Sequence, residues 1–428
     1  MPQVPTWCVR WSLFAVLLAT GAATSAQNLP LPRGTPEDVG LSSERLNRIA
    51  TVLRADVEKG RLPGAVVAIA RHGKIVYFEA IGYRDKAAGA PMTTDAIFNI
   101  ALMTKPVTAV AGLQLLEQGQ LLMGDSVGTY FPALAKPQVA VMDPAGERIL
   151  STVPANRPIA VLDLFRHTSG IIYGDRGRTA VHTLYPGGSG GAAELTGDEF
   201  VARLGTLPLL YQPGSTWDYG FGLDILGLVV EKLSHRTLGQ YFQEQIFQPL
   251  GMVDTAFVVP ESKVSRFARA LPKDPDTGAP QNVTPRTTPA KFECGGGCLT
   301  STAGDYLRFA LMLRNKGQLG TARILAPKTV EYMLSNQLGP EVRNLVGNAD
   351  PTRADYGFGL GLAVRTTPGI VKLLGSVGDF SWPGASGTNW WVDPQEDLTV
   401  VFMAHTPGAM RWHYRQVVNA LVYQAIVK

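Results

Sequence analysis

Cysteine and histidine are scarce in this chain, 3 and 6 among 428 residues, and only 17% of its residues are charged. Three cysteines cannot staple a chain of this length, so a disulfide scaffold is excluded. The thiols have no histidine near them in sequence, and neither a metal nor another cofactor is expected. The net charge of +4 is concentrated in no basic run, which excludes a nucleic-acid groove. Internal repeats and low-complexity tracts are lacking too. What is present is a 45% hydrophobic composition, which excludes disorder and suffices for one large or two medium cores.

The first 26 residues hold a single charge, Arg10, then an apolar stretch over 11–18 and a run of small residues ending Thr24-Ser25-Ala26 before Gln27. That order is the order of a secretory signal peptide, 1–26. An uncleaved anchor, the alternative, is disfavoured because the apolar stretch falls short of the roughly 20 residues a span needs. The expectation is a periplasmic or secreted protein with no stable membrane anchor after cleavage. Cys8 precedes the apolar stretch, so it is not a lipoprotein cysteine, and it leaves with the leader. Cys294 and Cys298 remain, enclosing only Gly295-Gly296-Gly297. Export favours a small disulfide ring between them; two free thiols in a tight turn are the alternative, since so short a loop gains little from closure.

Leu46, Ile49, Val52, Leu53 and Val57 recur at helical spacing and predict a first helix over 43–59. Two β-rich runs, 65–70 and 74–81, flank Arg71-His72-Gly73 and read as an antiparallel hairpin. Towards the other end, 359–364, 370–374, 388–392 and 398–405 read as strands and 414–427 as a closing helix. Between them helices are expected at 104–117, 222–234, 238–247, 303–315 and 327–336, joined by long Gly- and Pro-rich connections. Strands from both chain ends must share one antiparallel sheet if neither set is to be left a marginal fragment. The expected fold class is α/β of the α+β type: a sheet from both chain ends, N- and C-terminal helices flanking it, and a large inserted helical region. In residues, 27–428 is a single module, with the sheet in about 40–100 and 350–428 and the insertion over about 101–349.

The stretch Asn99-Ile100-Ala101-Leu102-Met103-Thr104-Lys105-Pro106 contains a proline tolerable only in the first turn of a helix, so Pro106 sets the helix start close to Leu102. Lys105 then stands one turn along from residue 102, at the positive end of the helix dipole. There a lysine gives up its proton more readily and suits a base; an exposed surface lysine is the plain alternative. This frame resembles the first motif, Ser-x-x-Lys, of the serine β-lactamase and penicillin-binding-protein superfamily, above all class C β-lactamases and β-lactamase-like carboxylesterases. At the position the resemblance assigns to the nucleophilic serine stands Leu102.

Trp217-Asp218-Tyr219-Gly220-Phe221-Gly222-Leu223-Asp224-Ile225-Leu226-Gly227 is similar to the second motif, whose tyrosine, here Tyr219, shares general-base work with the lysine. Trp382-Pro383-Gly384-Ala385 is similar to the third, Trp-Gly-Gly in esterases and Lys-Thr-Gly in β-lactamases. His167-Thr168-Ser169-Gly170, Gly295-Gly296-Gly297 and Ser301-Thr302-Ala303 with Asp305-Tyr306 match further landmarks in the same order.

Cleaving an ester or amide through an acyl-enzyme requires a nucleophile, a base and N–H donors aimed at the developing oxyanion. The resemblance implies Lys105 and Tyr219 as the base pair and the backbone N–H groups of Leu102 and Ala385 as donors, with Trp382 and Gly384 in the pocket. Pro383 lacks an N–H, but the donor lies two residues later. Trp382 in place of a lysine, and Phe221 in place of an asparagine, remove polar partners for a carboxylate and lean towards esters. Leucine cannot attack a carbonyl. The resemblance therefore implies a small-molecule ester or amide ligand and a catalytically impaired member of a serine-hydrolase family; a non-catalytic binding protein on the same fold is the alternative. Thr104 lies about 200° round the helix from Leu102 and should face away. Gly187-Gly188-Ser189-Gly190-Gly191 matches Gly-x-Ser-x-Gly but lacks the strand and helix of a nucleophile elbow, and reads as a flexible loop. His167 reads as structural, while Trp382 and His405 suit core and pocket equally.

Overall fold

A computed structural model describes residues 30–192 and 194–428, so the leader read over 1–26 lies outside the described residues. The first helix, α1 (Ser43–Glu58), begins at Ser42, whose hydroxyl accepts the Arg45 N–H and satisfies one of the free donors of the first turn. Strands β1 (Gly64–Arg71) and β2 (Lys74–Asp85) follow as the expected hairpin, with His72 and Gly73 both at positive φ making the turn. A short β3 (Ala90–Pro91) closes that edge. The remaining strands of the main sheet come from the far end of the chain: β4 (Gly357–Phe358), β5 (Ala363–Val364), β6 (Phe380–Ser381), β7 (Asn389–Asp393) and β8 (Leu398–Met403). Their order is β4-β5-β6-β7-β8-β1-β2-β3, antiparallel throughout. The two chain ends meet where Val66 of β1 pairs with Met403 of β8.

Alternation along β1 divides the core in two. Val66, Ala68 and Ala70 join the larger cluster, with Val107, Val110 and Leu113 of α2 (Thr104–Glu117), Leu226 and Val229 of α3 (Gly222–Ser234), and Leu307 and Ala310 of α4 (Ala303–Arg314). Ala65, Val67 and Ile69 face the other way, onto Leu46, Ile49 and Leu53 of α1 and Tyr414, Val418 and Val422 of α5 (Met410–Tyr423). Both faces of β1 are thus covered, and every residue of it is buried. Each such aliphatic side chain contributes about 1.5–3 kcal/mol relative to leaving it in water.

Several expectations change in detail. No strand forms over 370–374, which is a loop in which Ile370 and Leu374 are 65% and 54% exposed while Leu373 is buried and Val371 packs against the core. Gly361, at φ 79°, interrupts 359–364, so pairing is confined to β4 and β5 on either side. The closing helix begins four residues earlier than expected, at Met410. Inside the helical insertion, Gln138–Met142 and Ile149–Pro154 pair as an antiparallel hairpin, mostly exposed on its second strand and so without the alternation that would have revealed it. Among the described residues no helix is long and apolar enough to cross a membrane.

Candidate active site

Helix α2 starts where Pro106 requires, after a single tight turn over Ala101–Met103. Ala101 is held at φ 44°, a left-handed conformation costing an alanine roughly 1–2 kcal/mol. Two contacts keep it there: Asn99 Oδ1 accepts the Ala101 N–H at 2.9 Å, and the Asn99 carbonyl accepts the Ser386 hydroxyl at 2.5 Å. Leu102 consequently projects into a cleft lined also by Arg176, Trp382, Ala385, Arg411 and Arg415. Thr104 does face away, its hydroxyl donating to the Ala101 carbonyl at 2.7 Å.

Lys105 is wholly buried. Its Nζ donates to Tyr173 Oη at 2.9 Å and to the Gly296 carbonyl at 2.5 Å, and lies 4.6 Å from the centre of the Tyr219 ring. Burial holds its ammonium below the usual lysine range; the nearby Asp224 opposes that shift and Arg176 adds to it. Loss of water around the side chain is thus what makes this lysine ready to release its proton.

Tyr219 meets Lys105 through its ring face, and its oxygen accepts the Trp382 Nε1–H at 2.7 Å. Burial pushes the phenol above its ordinary range despite that hydrogen bond, so Tyr219 keeps its proton at neutral pH. Lysine is the proton acceptor that this geometry offers. Beneath the pair, the His167 ring packs on Tyr219 with centroids 4.8 Å apart and neither nitrogen bonded; burial keeps it neutral. His405 is tied into the same region, accepting the Asn99 N–H and facing the Ala268 carbonyl, each at 3.0 Å.

Three further side chains join Lys105 that sequence reasoning missed or set aside. Tyr173 Oη donates to Asp224 Oδ2 at 3.1 Å, and Ser189 Oγ lies 2.9 Å from Tyr173 Oη and 3.1 Å from Asp224 Oδ2. Ser189, read as part of a flexible loop, is 4% exposed. Asp224 stands on the first turn of α3, five residues after Tyr219, and its Oδ1 accepts the Gly296 N–H at 3.0 Å. An acid buried inside the second motif was the available signal for it.

The glycine loop 295–297 passes through the centre of this network, where a Cβ on Gly296 would come 2.2 Å from Asp224 Oδ2 and 2.6 Å from Ser189 Oγ. Cys294 and Cys298 are joined across it as a disulfide, with Cα atoms 5.5 Å apart. The third-motif loop is fixed on the opposite wall. Gly384 donates its N–H to the Thr388 carbonyl at 2.9 Å and accepts Arg415 Nη2 at 2.7 Å, and its bare Cα is required because a Cβ would lie 2.5 Å from the Ile100 carbonyl. Leu102, Trp382 and Ala385 line the cleft, Gly384 stands in the same loop, and the buried Lys105 meets Tyr219, whose oxygen is bonded to Trp382. Among the described residues no group of three or more His, Cys, Asp and Glu side chains could hold a metal ion.

A two-ended antiparallel sheet with a buried lysine at the start of its central helix defines a β-lactamase-fold, hydrolase-like protein. The chain belongs to the Beta-lactamase family, whose profile matches residues 49–424. It is 38% identical over 364 residues to Protein Rv1367c of Mycobacterium tuberculosis, covering 83% of this chain and 89% of that one. It is 30% identical over 380 residues to Esterase EstB of Burkholderia gladioli, covering 84% and 90%. Among solved structures, EstCE1, a hydrolase with promiscuous acyltransferase activity, superposes with a TM-score of 0.72 at 25% identity, covering 89% of this chain and 98% of its own.

Proposed function

We propose that the protein is an exported, esterase-like member of this family in which Leu102 stands at the nucleophile position and blocks acyl-enzyme formation. What remains is a site that binds a small ester or amide. The observation that carries this reading is the state of Lys105: buried, hydrogen-bonded to Tyr173 and Gly296, and one turn from a side chain with no proton to give it. A base kept in working surroundings beside a leucine is a hydrolase site lacking one atom group. The isobutyl group of Leu102 lines the cleft and takes up the place where a substrate carbonyl would sit. The esterase named among the relatives supports an ester more than an amide.

Purified parent protein treated with a fluorophosphonate or a penicillin probe is expected to take up no covalent label, whereas the Leu102→Ser protein is expected to be labelled at residue 102. Labelling of the parent would sink the reading. Export is tested separately, by fractionating cells that express the full chain: a protein shortened at its N-terminus and released from the cytoplasm is expected.

A further inference from the structure

We propose that the Cys294–Cys298 bridge is a redox latch on Lys105: a dithiol that opens it frees the glycine loop it encloses and takes away the carbonyl that holds the Lys105 Nζ. Cys294 and Cys298 are in that sense positioning residues, and the proposal rests on the reading of Lys105 as the base kept at this site. The ring encloses Gly295, Gly296 and Gly297 and nothing else. Gly296 accepts Lys105 Nζ through its carbonyl and gives its N–H to Asp224. The Gly295 carbonyl accepts Thr108 Oγ1 at 2.7 Å, one turn along α2 from Lys105.

The chain is tied down on both sides of the ring by bonds that do not depend on the bridge. Glu293 Oε2 accepts the Gly239 N–H at 2.7 Å, and the Leu299 N–H donates to Thr104 Oγ1 at 3.1 Å. Within the ring, the Gly297 N–H reaches the Cys294 carbonyl at a long 3.3 Å. Glycine loses more conformational freedom on ordering than any other residue, and here three stand in a row. The bridge offsets that loss by limiting the freedom of the loop when it is not in place. Gly296 already lies against Asp224 and Ser189, so a freed loop has room to move only outwards, away from Lys105.

Cys294 is buried, whereas Cys298 is half-buried, so a reductant meets Cys298 first. One thiolate of the dithiol bonds to the Cys298 sulfur, the bridge breaks, and Cys294 leaves as a thiolate that takes a proton. The second thiol then displaces the Cys298 sulfur, which takes another proton, and the dithiol ends as a disulfide. With the loop displaced, water replaces the Gly296 carbonyl at Lys105, and the burial that holds its ammonium below the usual range is relieved. The other groups around the lysine, Tyr173, Tyr219, Asp224, Arg176 and His167, stand outside the ring, and Asp224 among them favours the charged form. Opening the bridge therefore turns a ready base into an ordinary protonated lysine.

Two measurements on the full parent chain, before and after dithiothreitol, test the proposal. Acetylation by acetic anhydride, read by mass spectrometry, is expected to reach Lys105 about tenfold or more faster after reduction, while Lys328, whose side chain is 86% exposed, reacts equally in both states. The ε-carbon resonance of Lys105 in chain labelled at lysine, assigned as the signal lost in Lys105→Met, is expected to titrate about one pH unit or more higher after reduction, towards the usual value of about 10.4. The double variant Cys294→Ser with Cys298→Ser is expected to match the reduced chain and to ignore dithiothreitol. Circular dichroism follows the fold throughout. Lys105 equally protected in both states, a double variant that still responds to dithiothreitol, or reduction that unfolds the whole chain would each overturn the latch. A low midpoint that reduction leaves in place overturns the latch alone, whereas an ordinary midpoint already in the bridged chain sinks the reading of Lys105 as a ready base. Neither measurement needs a hydroxyl at residue 102, so both stand apart from the covalent probes.

Discussion

Lys105 has no exposed surface, and what it can do depends on the residue one turn before it. In the proposed reading a hydroxyl at 102 is the missing part. We expect Leu102→Ser to hydrolyse short-chain nitrophenyl esters at least about 10³-fold faster than the parent, read as nitrophenolate release, because the buried Lys105 already stands one turn from residue 102. The base must be the neutral amine, and its proton is held less tightly than in an ordinary lysine. Activity of Leu102→Ser should therefore rise with pH on an acid limb whose midpoint lies below the usual lysine value of about 10.4. Lys105→Ala in that background should abolish the gain. A limb unmoved from the usual lysine range, or a gain that survives the loss of Lys105, would contradict the assignment. Lys105 was legible because Pro106 fixes the helix start. Tyr173, Asp224 and Ser189 were not, because three segments far apart in sequence carry them and only packing brings them together.

At the scale of elements, two loops that hold the site pass too close to their neighbours to carry a side chain at Gly296 or Gly384. The 382–388 loop can approach the 99–101 segment only because Gly384 has no side chain. Gly384→Ala is expected to destabilise the protein by about 1–3 kcal/mol, seen as a lower denaturant midpoint, and to remove most of the activity gained by Leu102→Ser. The 295–297 loop is closed by its disulfide instead. Alkylation of the purified protein without reductant should leave Cys294 and Cys298 unmodified, and both should react after reduction; two modified thiols without reductant would reject the bridge. The first helix and the β1–β2 hairpin could be read in advance because their apolar periods are long and clean. The 370–374 run could not, since a short apolar stretch looks the same whether it enters a sheet or, as here, forms a half-exposed loop.

For the whole molecule, stability at acid pH depends on the buried charges that join α5 to the sheet end. Burial alone would raise the Asp350 carboxyl, but Arg415 and Arg353 outweigh it and hold it at about 2. Its folded value lies below the unfolded one of about 3.9, so its contribution is complete above pH 4 and is lost as pH falls towards 2. The thermal midpoint of the parent should drop across that window. The sheet built from both ends has a consequence for how the protein is made. Val66 is made more than 300 residues before its partner Met403. Until then one edge of β1 stays unpaired, and the face turned to α5 waits longer still, so the fold cannot be completed piece by piece behind the ribosome. A chain that stops short of Leu398 has a hairpin and a set of helices, but no finished centre.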